Sequence, residues 1–188
     1  MQIRSMALTS LFAALLAVSS QISIPIGPVP VVMQVMMVLL AGMVLGSRLG
    51  PASVAVWVLL GVFGLPVFAQ GKAGAAVLIG PTGGYIVGYF FCTYIVGYVA
   101  EHFELTYKYT ALSMLAGLAV IYGAGLAGFM LSFQYVLHKA MTLDRALNLA
   151  VLPFLPFDLI KTAAAVYVGV RVRRALLKTG LLGSRQPV

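Results

Sequence analysis

The chain has 188 residues, 62% of them hydrophobic and 9% charged, with a mean hydropathy of +1.05. A soluble domain carries roughly 25% charged residues, so this composition excludes one and marks an integral membrane protein of one all-α transmembrane domain, residues 1–188. The net charge of +8 does not argue for nucleic acid, because most basic residues flank apolar runs and so point to the membrane and its lipid.

Six apolar runs follow one another, at about residues 5–22, 31–45, 52–64, 82–99, 110–135 and 149–170. Only Arg4 precedes the first, and no small-residue cleavage site follows it, so no cleavable signal peptide is expected. This run carries Ala13 and Ala17, four apart, and no polar side chain to pair inward except Ser, Thr9 and Gln21. Its alanine stripe is therefore free for a partner helix. Next comes Ile-Pro-Ile-Gly-Pro-Val-Pro, residues 24–30, whose three prolines impose an extended loop. The second and third runs fall short of the roughly 20 residues a span needs, so they are expected to be tilted, kinked or sheltered. Residues 65–81 hold Gly71, Gly74 and Gly80 yet stay mostly apolar, which fits a segment dipping back over a cavity better than a wet loop. Close helix contacts are expected at Gly42 and Gly46, Gly84 and Gly88, and Ala124 and Gly128. Cys92 is alone in an apolar run, so no intrachain disulfide forms.

The last run contains two charges, Asp158 and Lys161, behind Pro153 and Pro156. Of the four acidic residues only Asp158 falls in a span, where a charge costs about 2.5–3.5 kcal/mol on insertion scales. On a helix the two are three apart and share a face. That face must look inward, to serve either a ligand or the locking of helices.

Orientation follows from the basic residues. With both termini cytoplasmic, eight lie inside: Arg4, Arg48, Lys108, Arg171, Arg173, Arg174, Lys178 and Arg185. Three lie outside, Lys72, Lys139 and Arg145, and Lys161 is in the membrane. The basic tail, residues 171–188, is the strongest vote and reads as a positive-inside anchor. Both unusual loops and the start of the last span then converge at the outer leaflet, where they suggest a pocket opening outward.

Enzyme chemistry has little to build on. One intramembrane carboxylate excludes a two-aspartate protease site, and His102 and His138 lie in opposite loops. The turn Gly80-Pro81-Thr82-Gly83-Gly84 lacks the lysine of a phosphate-binding loop. Lys161 is the one candidate base, and no G-x-S-x-G accompanies it. No metal or cofactor site is expected.

Three blocks, Gly64-Leu65-Pro66-Val67-Phe68-Ala69, Gly80-Pro81-Thr82-Gly83-Gly84-Tyr85 and Pro156-Phe157-Asp158-Leu159-Ile160-Lys161, resemble the signature blocks of the BioY family. Pro28-Val29-Pro30 with Gln34, and residues 40–46, fit the same family. The resemblance runs from about Leu11 to Arg174. It implies a biotin-specific substrate-binding (S) component of an energy-coupling factor (ECF) transporter, a multi-pass protein of a bacterial or archaeal cell membrane. It also implies a bundle of six transmembrane helices, a biotin pocket near the outer face, a transmembrane coupling protein and two ATPases. In that family the alanine stripe of the first helix meets the coupling protein, which fits Ala13 and Ala17. Biotin suits the residues. Asp158 can accept from a ureido N–H and Lys161 can donate, while Val67, Phe68, Tyr85 and Phe154 supply apolar walls, with Gln34 and Gly71 beside them. Two positions depart from the pattern. Lys72 stands where members often carry Asn, and Ile86 where some carry Arg. The carboxylate of biotin then falls to Lys72, to Lys161 or to backbone N–H groups of the Gly83–Gly84 turn. Other readings remain open from the residues alone: an S component for another small vitamin, a small intramembrane enzyme using Lys161, or a structural membrane subunit.

Overall fold

A computed structural model of the chain describes residues 3–25 and 28–180. Arg185 and the rest of the tail beyond 180, with Ile26 and Gly27 of the Pro-rich loop, lie outside them. Helix α1 (Ile3–Gln21) leads into a two-residue strand pair, β1 (Ser23–Ile24) and β2 (Val31–Val32), antiparallel with Ser23 opposite Val32. Then come α2 (Gln34–Val62), α3 (Ala76–Ile79), α4 (Gly83–His102), α5 (Tyr107–Leu131) with a π-turn over Ser132–Val136, α6 (Leu143–Ala150) and α7 (Leu155–Lys178).

The two short apolar runs are the two arms of α2. Gly46 interrupts it at φ 83°, ψ −175°, a conformation essentially reserved for glycine. The chain turns back there. A Cβ on Gly50 would lie 3.3 Å from the Cα of Gly42, whereas residues eight apart on a straight helix are about 12 Å apart. Glu101 of α4 closes the turn: the Ser47 backbone N–H donates to its Oε1 at 3.1 Å and the Ser47 hydroxyl donates to its Oε2. A carboxylate at the start of the second arm also complements the helix dipole. Counting these arms, α1, α4, α5 and α7 gives the six expected helices.

Apolar burial does not drive helices together in lipid, so close packing must. The expected small residues serve it. Gly84 on α4 faces Gly128 on α5, where an added Cβ would come within 2.8 Å of the opposing Cα. Gly42 lies against Thr93 in the same way, where an added Cβ would come within 2.8 Å of the Thr93 carbonyl oxygen. The outer face carries Leu11, Leu15, Phe91, Leu112 and Ile160, all exposed, as a lipid-facing surface requires.

Ala13 is 1% exposed and packs into the bundle core, where α1 lies along α2. Ala17, the other half of the expected partner stripe, is half-buried at the edge of the same contact. Arg173, within the basic cluster read as a positive-inside anchor, is buried, and its guanidinium donates to the Met43 carbonyl at 2.6 Å. The last helix runs on to Lys178, past the expected end at 170.

Candidate ligand-binding cavity

At the end of the bundle opposite the tail, the loops between α1 and α2, between α2 and α4, and between α5 and α7 come together. They close over a cavity whose empty space, open mouth included, is about 720 Å³. Its lining is mostly apolar and includes Val29, Val31, Val35, Trp57, Phe68, Ile86, Ile121 and Phe154. Gln34 and Trp57 both line it. They lie near opposite ends of α2, and the Gly46 turn brings them to one place.

The cover is held by hydrogen bonds that begin at the end of α1. Gln21 donates to the carbonyls of Pro66 (3.2 Å) and Phe68 (3.1 Å), and its Oε1 accepts from the Gly71 N–H (3.1 Å). The Val67 carbonyl accepts from the Ser20 hydroxyl (2.6 Å) and from the Trp57 indole (2.9 Å). Gln70 and Gly71 both adopt positive φ, which lets Phe68 and Lys72 pair as a one-bridge hairpin. The Phe68 ring then turns inward, edge-on to Trp57 at 5.1 Å, over the gap that Gly61 leaves.

Asp158 forms the charged part of the wall. It sits in the first turn of α7, just after the bend of 50° between α6 and α7, where Pro156 suits the helix start. Asp158 is 5% exposed and Lys161 9%. The ammonium donates to Asp158 Oδ1 and to the Val32 carbonyl, each at 2.7 Å. The Tyr122 hydroxyl donates to Oδ2 at 2.7 Å. Both oxygens are therefore fixed, and each keeps a lone pair for something else.

Of the residues expected at a ligand, Asp158, Lys72, Gln34, Phe68, Tyr85 and Phe154 line the cavity. Three stand outside its lining. Lys161 lies behind Asp158, tied to it and to β2; Val67 and Gly71 take part in the cover through their backbone groups. Lys72 is exposed at the rim. Tyr85 donates its hydroxyl to the Ala150 carbonyl, which ties α4 to α6. Sequence reasoning missed Trp57, Tyr89 and Tyr122. A buried carboxylate needs donors on more than one side, which calls for a hydroxyl from another helix, but no spacing rule singles out residue 122.

The sequence profile of the BioY family matches residues 1–178. "Biotin transporter BioY" of Thermotoga maritima is 43% identical over 171 residues, covering 91% of this chain and 96% of that protein. "Probable biotin transporter BioY" of Pyrococcus horikoshii is 40% identical over 173 residues, covering 92% and 98%. A crystal structure of the S-component for biotin from an ECF-type ABC transporter superposes with a TM-score of 0.80 at 28% identity, covering 92% of each chain. With matches along nearly its whole length, the chain belongs to the BioY family.

Proposed function

We propose that the chain binds biotin in this cavity and mediates its uptake as the S component of an ECF-type transporter. One observation carries the reading: a buried carboxylate, held on both oxygens, in the wall of a cavity that is otherwise largely apolar. Burying an ion pair adds little net stability and often costs some, so stability alone does not account for Asp158. Biotin matches this wall. A ureido N–H donates to Asp158, and Phe68, Tyr85 and Phe154 enclose the ring system and chain, with Gln34 beside them. Lys161 holds Asp158 in place. Because Lys161 is already engaged twice, Lys72 at the rim is the cation for the biotin carboxylate. The enzyme reading loses its candidate base for the same reason, and the family relationship argues against it.

In this reading the chain forms one transmembrane domain in a bacterial or archaeal cell membrane, with both termini cytoplasmic and the cavity facing out. The eight-to-three distribution of basic residues supports that orientation. Its partners in this reading are a coupling protein and two ATPases, which the likeness to the S-component for biotin from an ECF-type ABC transporter supports.

Titration of the detergent-purified protein with biotin tests the proposal. Saturable binding is expected, with no ATPase activity in the isolated chain. Failure to bind biotin together with binding of another vitamin would transfer the chain to a different ligand. A cysteine at Ser184 should resist labelling from outside intact cells; ready labelling there would invert the orientation.

A further inference from the structure

Three tyrosines, Tyr85, Tyr89 and Tyr122, line the cavity, and their hydroxyls have different fates. That of Tyr85 is bonded to the Ala150 carbonyl and that of Tyr122 to Asp158. Tyr89 is 5% exposed, and its hydroxyl has no partner among the described residues. A buried hydroxyl without a partner is costly. It is not sealed in the protein either, because the one fully enclosed side-chain polar atom lacking a partner among the described residues is the Ser132 hydroxyl. The Tyr89 ring is held one helical turn after Tyr85 and 6.2 Å from the Trp57 ring. On its neighbouring side α4 meets α5 closely, with Gly88 against Ile121.

We infer that Tyr89 is a specificity-determining ligand contact whose hydroxyl donates to the ureido carbonyl of the bound molecule, while Tyr122 is a positioning residue that acts through Asp158. The inference rests on the biotin reading above and deepens it. A cyclic urea presents N–H donors on both sides of one carbonyl acceptor. Asp158 is an acceptor and has no proton to offer a carbonyl. Gln34 has its amide N–H₂ directed to the Leu16 carbonyl at 3.3 Å, which leaves its Oε1 as a second acceptor for the other N–H. The wall therefore holds two acceptors and needs one donor between them. Tyr89 supplies it as a neutral hydroxyl, which does not set a second cation against Lys161. Removing such a donor leaves a buried carbonyl unsatisfied, which gives the site its selectivity for urea over look-alike rings.

The test compares biotin with its thione analogue, in which sulfur replaces the ureido oxygen. Sulfur accepts hydrogen bonds poorly, while both N–H groups remain. Wild-type protein should prefer biotin. Tyr89→Phe should weaken biotin about tenfold and the thione by much less, with an unchanged thermal unfolding profile. Tyr122→Phe should weaken both ligands alike, because both use Asp158. Equal losses in Tyr89→Phe, or none, would reduce Tyr89 to a packing residue. If Tyr89→Phe does not fold, the wild-type preference still decides, since equal wild-type affinity for the two ligands means that nothing donates to the carbonyl. Wild-type protein that binds neither ligand would instead break the biotin reading itself.

Discussion

The two ends of the bundle hold their carboxylates in different settings. At the tail end Glu101 accepts from both the backbone N–H and the hydroxyl of Ser47, and Arg173 donates to the Met43 carbonyl. At the cavity end Asp158 is held by side chains, Lys161 and Tyr122, and keeps one face toward open space. Charges bonded to backbone fix a turn. A charge bonded to side chains, with lone pairs left over, forms a receptor. The same physical cost, removal of a charge from water, thus serves shape at one end and recognition at the other.

Substitutions can break this contrast. The largest effect is expected from Asp158→Asn, which should weaken biotin binding by about 2–5 kcal/mol, or roughly 30-fold and more, in protein that still inserts and folds. Titration of the purified variant measures it, and normal affinity would make Asp158 as structural as Glu101. Lys161→Ala should approach that loss, since it frees one oxygen of Asp158 and releases β2 as well.

At the tail end the effects should fall on stability alone. Gly46→Ala forces a side chain into a backbone region reserved for glycine, at a cost of about 1–3 kcal/mol, and against Glu101. Thermal unfolding in detergent should show the drop, while the folded fraction binds biotin normally. Weaker binding by that fraction would mean the two ends are coupled. Glu101→Gln keeps the shape but removes the charge, so a smaller loss of about 1 kcal/mol is expected, again with unchanged affinity.

The smallest effect sharpens the contrast at the rim. Lys72 is exposed, so its ion pair with the ligand carboxylate should contribute at most about 1 kcal/mol. Lys72→Met should therefore weaken biotin by a few-fold and a biotin amide hardly at all. Equal losses would pass the carboxylate to the Gly83–Gly84 turn.

Much of this was legible in the sequence because the membrane restricts the options. Six apolar runs, prolines between the first two and a lone acid in the last left few arrangements, and the loops do meet at Asp158. Legibility failed where the outcome depended on which face of a helix turned inward. The alanines of α1 give no such signal, because in lipid an inward and an outward Ala look alike; Ala13 is the buried one and Ala17 lies at the edge. For Arg173 the count of basic residues bears on the side of the membrane and says nothing of the Met43 carbonyl that its guanidinium meets. Lys161 shares the face of Asp158, as expected, and stands outside the cavity lining. Spacing shows that it can reach Asp158 and says nothing of the Val32 carbonyl, 129 residues away in the chain.

That last bond bears on the order of assembly. Part of the cavity is made of neighbours in sequence: the Trp57 indole reaches the Val67 carbonyl across only 10 residues, a contact available once the chain has emerged a few residues past α2. The acid wall is the opposite case, because Asp158 and Lys161 close onto β2 only when the final helix has been made. Contacts of such long range form late in folding. A growing chain can therefore acquire most of its helices and its cover while still lacking a receptor, and ligand binding reports completion of the last helix.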